Sequence, residues 1–169
     1  KEEVFDIVIC NGVLHHTSNP LLGFKTIAKL VKKDGYIILG LYNKYGRFFN
    51  DVRSFIFKIS NDYFRFLDFR LRKKYISKAR KLTWFLDQYK HPHESKHTIK
   101  EVLEWFDKNG FEFANSLPKP KFFGRIEEKE KLFRINPKSN FLDRFLVQFK
   151  MIFSKNNEGG FFIMIGKKK

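Results

Sequence analysis

The sequence predicts an α/β protein built around parallel strands, and three observations predict it. Val4-Phe5-Asp6-Ile7-Val8-Ile9-Cys10 and Tyr36-Ile37-Ile38-Leu39-Gly40-Leu41-Tyr42 are short, nearly unbroken apolar runs. That is the mark of strands buried on both faces. Between them Leu21, Phe24, Ile27, Ala28 and Val31 recur at helical spacing. A strand, a helix and a strand within roughly 40 residues make a βαβ unit, whose two strands run parallel.

Each element has its own start and stop. The first strand ends at the turn formers Asn11-Gly12. Ser18-Asn19-Pro20 then opens a helix, with Asn19 able to cap an orphan N–H and Pro20 suited to the first helical position. This helix is expected to run through Lys33 and stop at Asp34-Gly35, with Gly35 as the left-handed residue. After the second strand, Phe48, Val52, Phe55, Ile56 and Ile59 form one helical stripe. Tyr63 to about Leu82 reads as a further helical stretch, aromatic and basic. A polar loop follows over Tyr89–His97. Thr98-Ile99-Lys100-Glu101 is a capping-box pattern that opens a helix to about Asn109, with Gly110 beyond its end. Phe111–Ser116 alternates as a strand, broken by Pro118-Lys119-Pro120. Residues 122–137 read as irregular or partly helical. Phe141, Leu142, Phe145, Leu146, Phe149, Ile152 and Phe153 mark an amphipathic helix. Gly159-Gly160 turns into a last strand over Phe161–Gly166, with Lys167–Lys169 as a basic tail.

Composition sets the bounds. The 169 residues fit one domain, and 43% hydrophobic residues with 22 Phe supply a core and exclude a disordered tail. A single cysteine, Cys10, excludes an internal disulfide framework and a cysteine-ligated zinc site, and points to a reducing, cytoplasmic setting. The longest apolar runs fall far short of the ~20 residues of a membrane span. The chain starts Lys-Glu-Glu-Val-Phe-Asp, with neither an initiator Met nor a signal-peptide stretch, and enters a strand pattern at once. It is therefore expected to be a piece of a longer protein.

The 34 Lys+Arg outnumber 18 Asp+Glu by 16. Such a balance suggests nucleic acid or an anionic membrane surface. However, 25 of the basic residues are Lys and only 9 Arg, a bias that an A/T-rich coding sequence produces without any partner. Residues 44–90 carry 13 Lys+Arg against 4 Asp+Glu, hence +9 of the total. Both explanations stand at this level.

In parallel α/β sheets, ligands sit beyond the carboxyl ends of the strands. Here those ends lead into Cys10-Asn11-Gly12-Val13-Leu14-His15-His16-Thr17 and Tyr42-Asn43-Lys44-Tyr45-Gly46-Arg47. Adjacent parallel strands bring both to a common rim. A plain alternative has Gly12 only turning the chain and His15 and His16 only bonding backbone.

Phe5-Asp6-Ile7-Val8 through Val13-Leu14-His15-His16-Thr17, then a helix, then Lys33-Asp34-Gly35-Tyr36, resembles the fourth to fifth strands of class I S-adenosylmethionine-dependent methyltransferases. The type 11 and type 12 domains are the nearest in kind. These read "FD-hydrophobic-V … V-L-H/E-H" and later "L-K-P-G-G"; Asp34 departs from that pattern and keeps a turn. The resemblance is clear over about 4–43 and weaker beyond. It implies the C-terminal part of a Rossmann-like methyltransferase sheet with helical insertions. One partial domain over 1–169 would divide into 4–43, 44–97, 98–117, 118–158 and 159–169. The family's glycine-rich cofactor loop, G-x-G-x-G after the first strand, has no counterpart among the ten glycines. Three strand–helix units, roughly 100 residues at ~30 each, are thus expected upstream. The 169 residues alone are expected to be inactive and to bind cofactor poorly, with their first strand an exposed edge.

The resemblance further implies in-line methyl transfer from a sulfonium, with Asn11, Gly12 and Leu14 flanking the S-adenosylmethionine. His15 or His16 would serve as a base, a task their near-neutral pKa suits. Tyr42 and Asn43 would border the acceptor, an aromatic face there also steadying the cation. Asp87-Gln88-Tyr89…His91-Pro92-His93-Glu94 resembles a bacterial subset of methyltransferase-domain proteins. Tyr89, His91, His93 and Glu94 are accordingly substrate-loop candidates, against the alternative of a solvated loop. His93-Glu94-Ser95-Lys96-His97 also spells H-E-x-x-H, but that zinc-protease motif needs both histidines on one helix. With Thr98 as the helix start, His97 falls outside, and no metal is expected.

The aromatic stripes over 48–82 and 141–153 read first as packing, then as a lid or a basic surface. The expected function is methyl transfer to a small-molecule acceptor by a longer protein. The alternatives are an RNA methyltransferase, or a non-catalytic basic interaction module that keeps the sheet.

Overall fold

The computed structural model describes residues 2–119, 131–153 and 160–169. Four strands, β1 (Phe5–Asn11), β2 (Val31–Tyr42), β3 (Phe111–Leu117) and β4 (Phe161–Lys168), form one sheet in the order β1-β2-β4-β3. β1 and β2 pair in parallel, from Ile7 opposite Tyr36 to Asn11 opposite Gly40. β4 lies between β2 and β3 and runs antiparallel to both. The parallel pair joined by a helix is the unit expected from the sequence.

The helices are α1 (Pro20–Ala28), α2 (Phe48–Ile59), α3 (Phe69–Arg72), α4 (Lys78–Tyr89), α5 (Ile99–Lys108) and α6 (Phe141–Phe153). Asn19 caps α1 by accepting from the Leu22 N–H, with Pro20 at the first position. Thr98 and Glu101 close both halves of a capping box at α5. Phe24 and Ala28 of α1, five residues of α5 from Ile99 to Phe106, and Val147 and Met151 of α6 are buried against Ile37, Leu39, Leu41, Phe162 and Met164. Burying a Phe such as Phe24 or Phe106 stabilises by about 2–3 kcal/mol. The Phe24 ring meets those of Trp105, Phe106 and Phe111 at 5.7, 6.0 and 6.1 Å. Gly166 lets α5 approach β4, since a Cβ there would stand 2.9 Å from the Phe106 ring.

Several boundaries differ from the sequence reading. α1 ends at Ala28, not Lys33, because the Leu30 carbonyl is already taken by the N–H groups of Val4 and Phe5 at the start of β1. Val31 thus begins β2, and Lys32–Gly35 bulge between its first contact with β1 and Tyr36. Within that bulge Asp34, at φ 64°, takes the left-handed conformation expected of Gly35. Gly35 is needed for a different reason: a Cβ there would sit 2.8 Å from the Asp6 carbonyl.

The helix expected from Tyr63 to Leu82 is divided. A 3-10 turn at Arg65–Leu67 precedes α3, and α4 starts separately at Lys78. Asp68 and Ser77 explain the division, since each caps a new start by accepting the Arg70 and Arg80 N–H. The lysine tail is mostly strand, with Lys167 paired to Tyr36 in β4. β1 is not buried on both faces: Val8 and Cys10 face the core, while Phe5, Ile7 and Ile9 are 50%, 47% and 66% exposed. Among the described residues β1 pairs with β2 alone. The expected break at Pro120, the irregular stretch as far as residue 130 and the Gly159 half of the final turn lie outside the described residues.

Candidate functional site

The carboxyl ends of β1 and β2 open on one rim, as the parallel pairing requires. β1 ends at Asn11, whose side chain lies over Gly40 of β2; a Cβ on Gly40 would collide with the Asn11 carboxamide and with the Phe161 ring. Gly12 follows with φ 74° and nothing near the position a Cβ would take, so its backbone faces open space. Leu14–His16 form a single 3-10 turn, which buries Leu14 and His15 and leaves His16 half exposed.

The polar loop before α5 is bonded to both strand ends. The Ser95 N–H donates to the His15 carbonyl (2.7 Å), the His97 N–H to the Tyr42 carbonyl (2.9 Å), and the Lys44 N–H to the His97 carbonyl (3.0 Å). Asn43 and His97 consequently form a parallel bridge. His97 is 5% exposed, with Nδ1 on Glu101 (2.9 Å) and Nε2 on Ser95 (2.8 Å). Burial pushes the Glu101 carboxyl up, but the His97 hydrogen bond and charge, the Thr98 N–H and the Lys44 charge together hold the group below its ordinary range. The H-E-x-x-H histidines do not share a helix, because α5 begins at Ile99. His97 is a clasp between loop and helix.

Four aromatic rings stack at the rim. His15 lies 4.2 Å from both His16 and Tyr42, and His16 lies 3.9 Å from His91. His15 is 1% exposed and its Nδ1 has no hydrogen-bond partner. Burial first, then the neighbouring His16 and Arg47 charges, push its pKa down to about 3. His15 is therefore neutral at physiological pH and a weak base. His16 Nδ1 sits 3.1 Å from the His93 carbonyl. A carbonyl only accepts, so Nδ1 carries the proton and the neutral ring presents a lone pair at Nε2.

Beneath the rings runs a buried polar network. Arg47, 1% exposed, donates to Glu94 through Nε (3.1 Å) and Nη2 (2.6 Å) and to Gln88 Oε1 (2.6 Å), and stacks 4.1 Å over Tyr42. Gln88 donates to the Tyr42 hydroxyl (3.1 Å), whose pKa burial raises. Tyr89 donates to Asp68 (2.7 Å) and accepts from Arg53 (3.1 Å). Burial first, then the Asp68 hydrogen bond, push the Tyr89 phenol well up. A cavity of about 240 Å³ opens over this network, lined among others by Arg47, Asn50, Tyr89, His91, Glu94 and Lys96.

The structure thus gathers most of the residues that the sequence singled out. Asn11, Gly12, His15, His16 and Tyr42 meet at the rim; Tyr89, His91 and Glu94 line the cavity. Leu14 brings only its backbone to the rim, its side chain being buried in the core against Gly23 of α1. His93 contributes its backbone, since its carbonyl binds both His16 and His91 (2.6 Å). Asn43 does not reach the rim. It is fully buried, its amide donating to Gln148 and its oxygen accepting the N–H groups of Tyr45 and Gly46. Arg47, Gln88 and Gly40 escaped sequence reasoning. Their partners are distant along the chain; Arg47 was marked only by lying in the stretch after β2, Gln88 only by the motif around it, and nothing local marked Gly40.

A family model described as a methyltransferase domain matches residues 1–115. Among solved structures, PKMT2 of Rickettsia typhi in complex with S-adenosylhomocysteine aligns with 99% of this chain at 14% identity and TM-score 0.63. A second structure of PKMT2 aligns with 98% of this chain at 14% identity and TM-score 0.62. An S-adenosylmethionine-dependent methyltransferase of Thermotoga maritima aligns with 100% at 16% identity and TM-score 0.44. This chain spans 36% of the Rickettsia protein and 58% of the Thermotoga protein. The PKMT2 likeness shows the fold, a Rossmann-like sheet.

Proposed function

Because this chain belongs to the methyltransferase-domain family, we propose that it forms the acceptor-side half of an S-adenosylmethionine-dependent methyltransferase acting on a small polar molecule. The observation that carries this reading is the convergence of the 11–17 turn, the end of β2 and the 91–97 loop on one rim. Two features of that rim fit the cofactor. Gly12 offers bare backbone to open space, and His15 holds an unbonded buried nitrogen beside it. When bound, S-adenosylmethionine supplies an electrophilic methyl group on a sulfonium.

Asn11, Gly12 and Leu14 would hold one side of the cofactor, with the Tyr42 ring as a face for its cation. His16, oriented by the His93 carbonyl, would take the acceptor's proton on Nε2. His15, weakly basic, orients rather than accepts a full proton. The polar cavity beside His91 and Glu94 supports a polar acceptor, with Tyr89 as part of its wall. The 169 residues contribute one wall of the cofactor site, so the isolated chain is inactive. The half-buried single cysteine supports a reducing, cytoplasmic setting. Among the described residues no helix is long and apolar enough to cross a membrane.

Calorimetric titration with S-adenosylmethionine tests the reading. The protein that contains this chain with its upstream sequence should bind in the micromolar range, and Gly12→Val should weaken binding about tenfold or more, ~1.4 kcal/mol, with the fold retained. Micromolar binding to the isolated 169 residues, or an unchanged affinity in Gly12→Val, would contradict it.

A further inference from the structure

From Phe69 to Leu86, between Asp68 and Asp87, eighteen residues carry seven cations and no carboxylate. Six of the nine arginines of the chain fall within 44–90. An A/T-rich coding bias favours lysine and does not concentrate arginine there. α3, the turn after it and α4 fold this segment into two adjoining cavities of about 360 and 350 Å³, which share Leu71 and Lys81. Arg70, Arg80 and Lys81 line the first, with Tyr75 and Trp84; Arg65, Arg72, Lys78 and Lys81 line the second. Among the described residues no carboxylate lines either one, and Arg65 at the second is ion-paired to Asp62 just outside it (2.9 Å). Large apolar side chains ring them in the open: Phe66 and Leu82 at 53%, Phe69 at 46%, Tyr75 at 80%.

We propose that the α3–α4 segment docks on an anionic phospholipid surface, its two cationic cavities receiving phosphate-bearing headgroups while Phe66, Phe69, Tyr75 and Leu82 enter the acyl boundary. Arginine forks match phosphate oxygens, and exposed apolar side chains flanked by cations are what an interfacial segment needs. RNA would need free aromatic faces on which bases stack. Here cations already sit over most of the rings: Arg70 over Trp84 at 3.9 Å, Arg65 over Phe85 at 4.2 Å, and Lys73 over the exposed Phe69 and Tyr75 at 5.2 and 5.5 Å. Among the described residues this leaves Phe66 as the exposed ring beside the cavities with no such cation. The aliphatic Leu67, Leu82 and Leu86, all exposed, stack nothing. This inference goes beyond methyl transfer and does not depend on it.

Vesicle flotation of the protein that contains this chain tests it. Binding is expected to vesicles with roughly a third phosphatidylserine and not to phosphatidylcholine alone, because each surface cation strengthens attachment about fivefold. Arg80→Glu with Lys81→Glu should lower it by about 25-fold or more. Tyr75→Ser with Leu82→Ser, at exposed positions, should lower it about tenfold while the thermal midpoint stays unchanged. Equal binding to both vesicle types, or to neither, would overturn the proposal. So would displacement from vesicles by millimolar inorganic phosphate, which would mark a free-anion site. Single-stranded RNA retained undiminished by Tyr75→Ser with Leu82→Ser, and displacing the vesicles, would mark an RNA site instead.

Discussion

His15 gives the rim its most specific signature. Its ring is buried with a pKa near 3, against about 6.5 in an unfolded chain. Below pH ~6.5 the unfolded state takes up a proton that the folded state refuses, so stability must fall on acidification toward about pH 3. The slope from this group is at most about 1.4 kcal/mol per pH unit. Urea midpoints measured between pH 7 and pH 4.5 should therefore drop, and His15→Asn should flatten that dependence. An unaltered slope in the variant would show that His15 titrates normally. His16 carries a different prediction: His16→Ala in the full-length protein should slow methyl transfer about 100-fold or more, if it takes the acceptor's proton. A kcat that stays level would remove it from that role. Position at a strand end was enough to single out Asn11, Gly12 and the two histidines. The same logic misplaced Asn43, because a carboxamide just past a strand can equally well accept two backbone N–H groups and turn the chain.

Among the elements, the polar loop and the helices on either side act together. The capping box that opens α5 is written in four consecutive residues, and the structure keeps it intact. Thr98→Ala should cost about 1 kcal/mol. For a chain of this length, the thermal midpoint should fall by about 2–4 °C. Arg47 offers the contrast. It joins the turn after β2 to Gln88 of α4 and to Glu94 of the loop, with partners 41 and 47 residues away. No local pattern announces such a link. Arg47→Ala strands a carboxylate and an amide around a buried gap, and should cost about 3 kcal/mol or more in urea unfolding. A loss below ~1 kcal/mol would mean that water replaces the guanidinium. Side-chain capping also set the limits of the sequence reading: Asp68 and Ser77 interrupt a run whose apolar spacing alone looked like one helix.

At the scale of the whole molecule, the order and direction of the strands determine what the side chains can do. The βαβ unit was readable because apolar runs and a capped helix are local signals. The antiparallel insertion of β4 between β2 and β3 was not, since strand order depends on contacts between segments more than a hundred residues apart. The exposure of Phe5, Ile7 and Ile9 was also hidden, because an apolar run looks the same whether or not a neighbour covers it. Charge was readable as a basic stretch over residues 44–90 but not as a place in space; only the fold gathers its arginines around two cavities. The proposed reaction needs cofactor and acceptor to meet at one shared rim. The most direct test is a crystal structure of the full-length protein with S-adenosylhomocysteine. The ligand's sulfur end is expected against Asn11–Leu14, facing His16 and the cavity beside His91. A ligand bound with none of those residues in contact would contradict it.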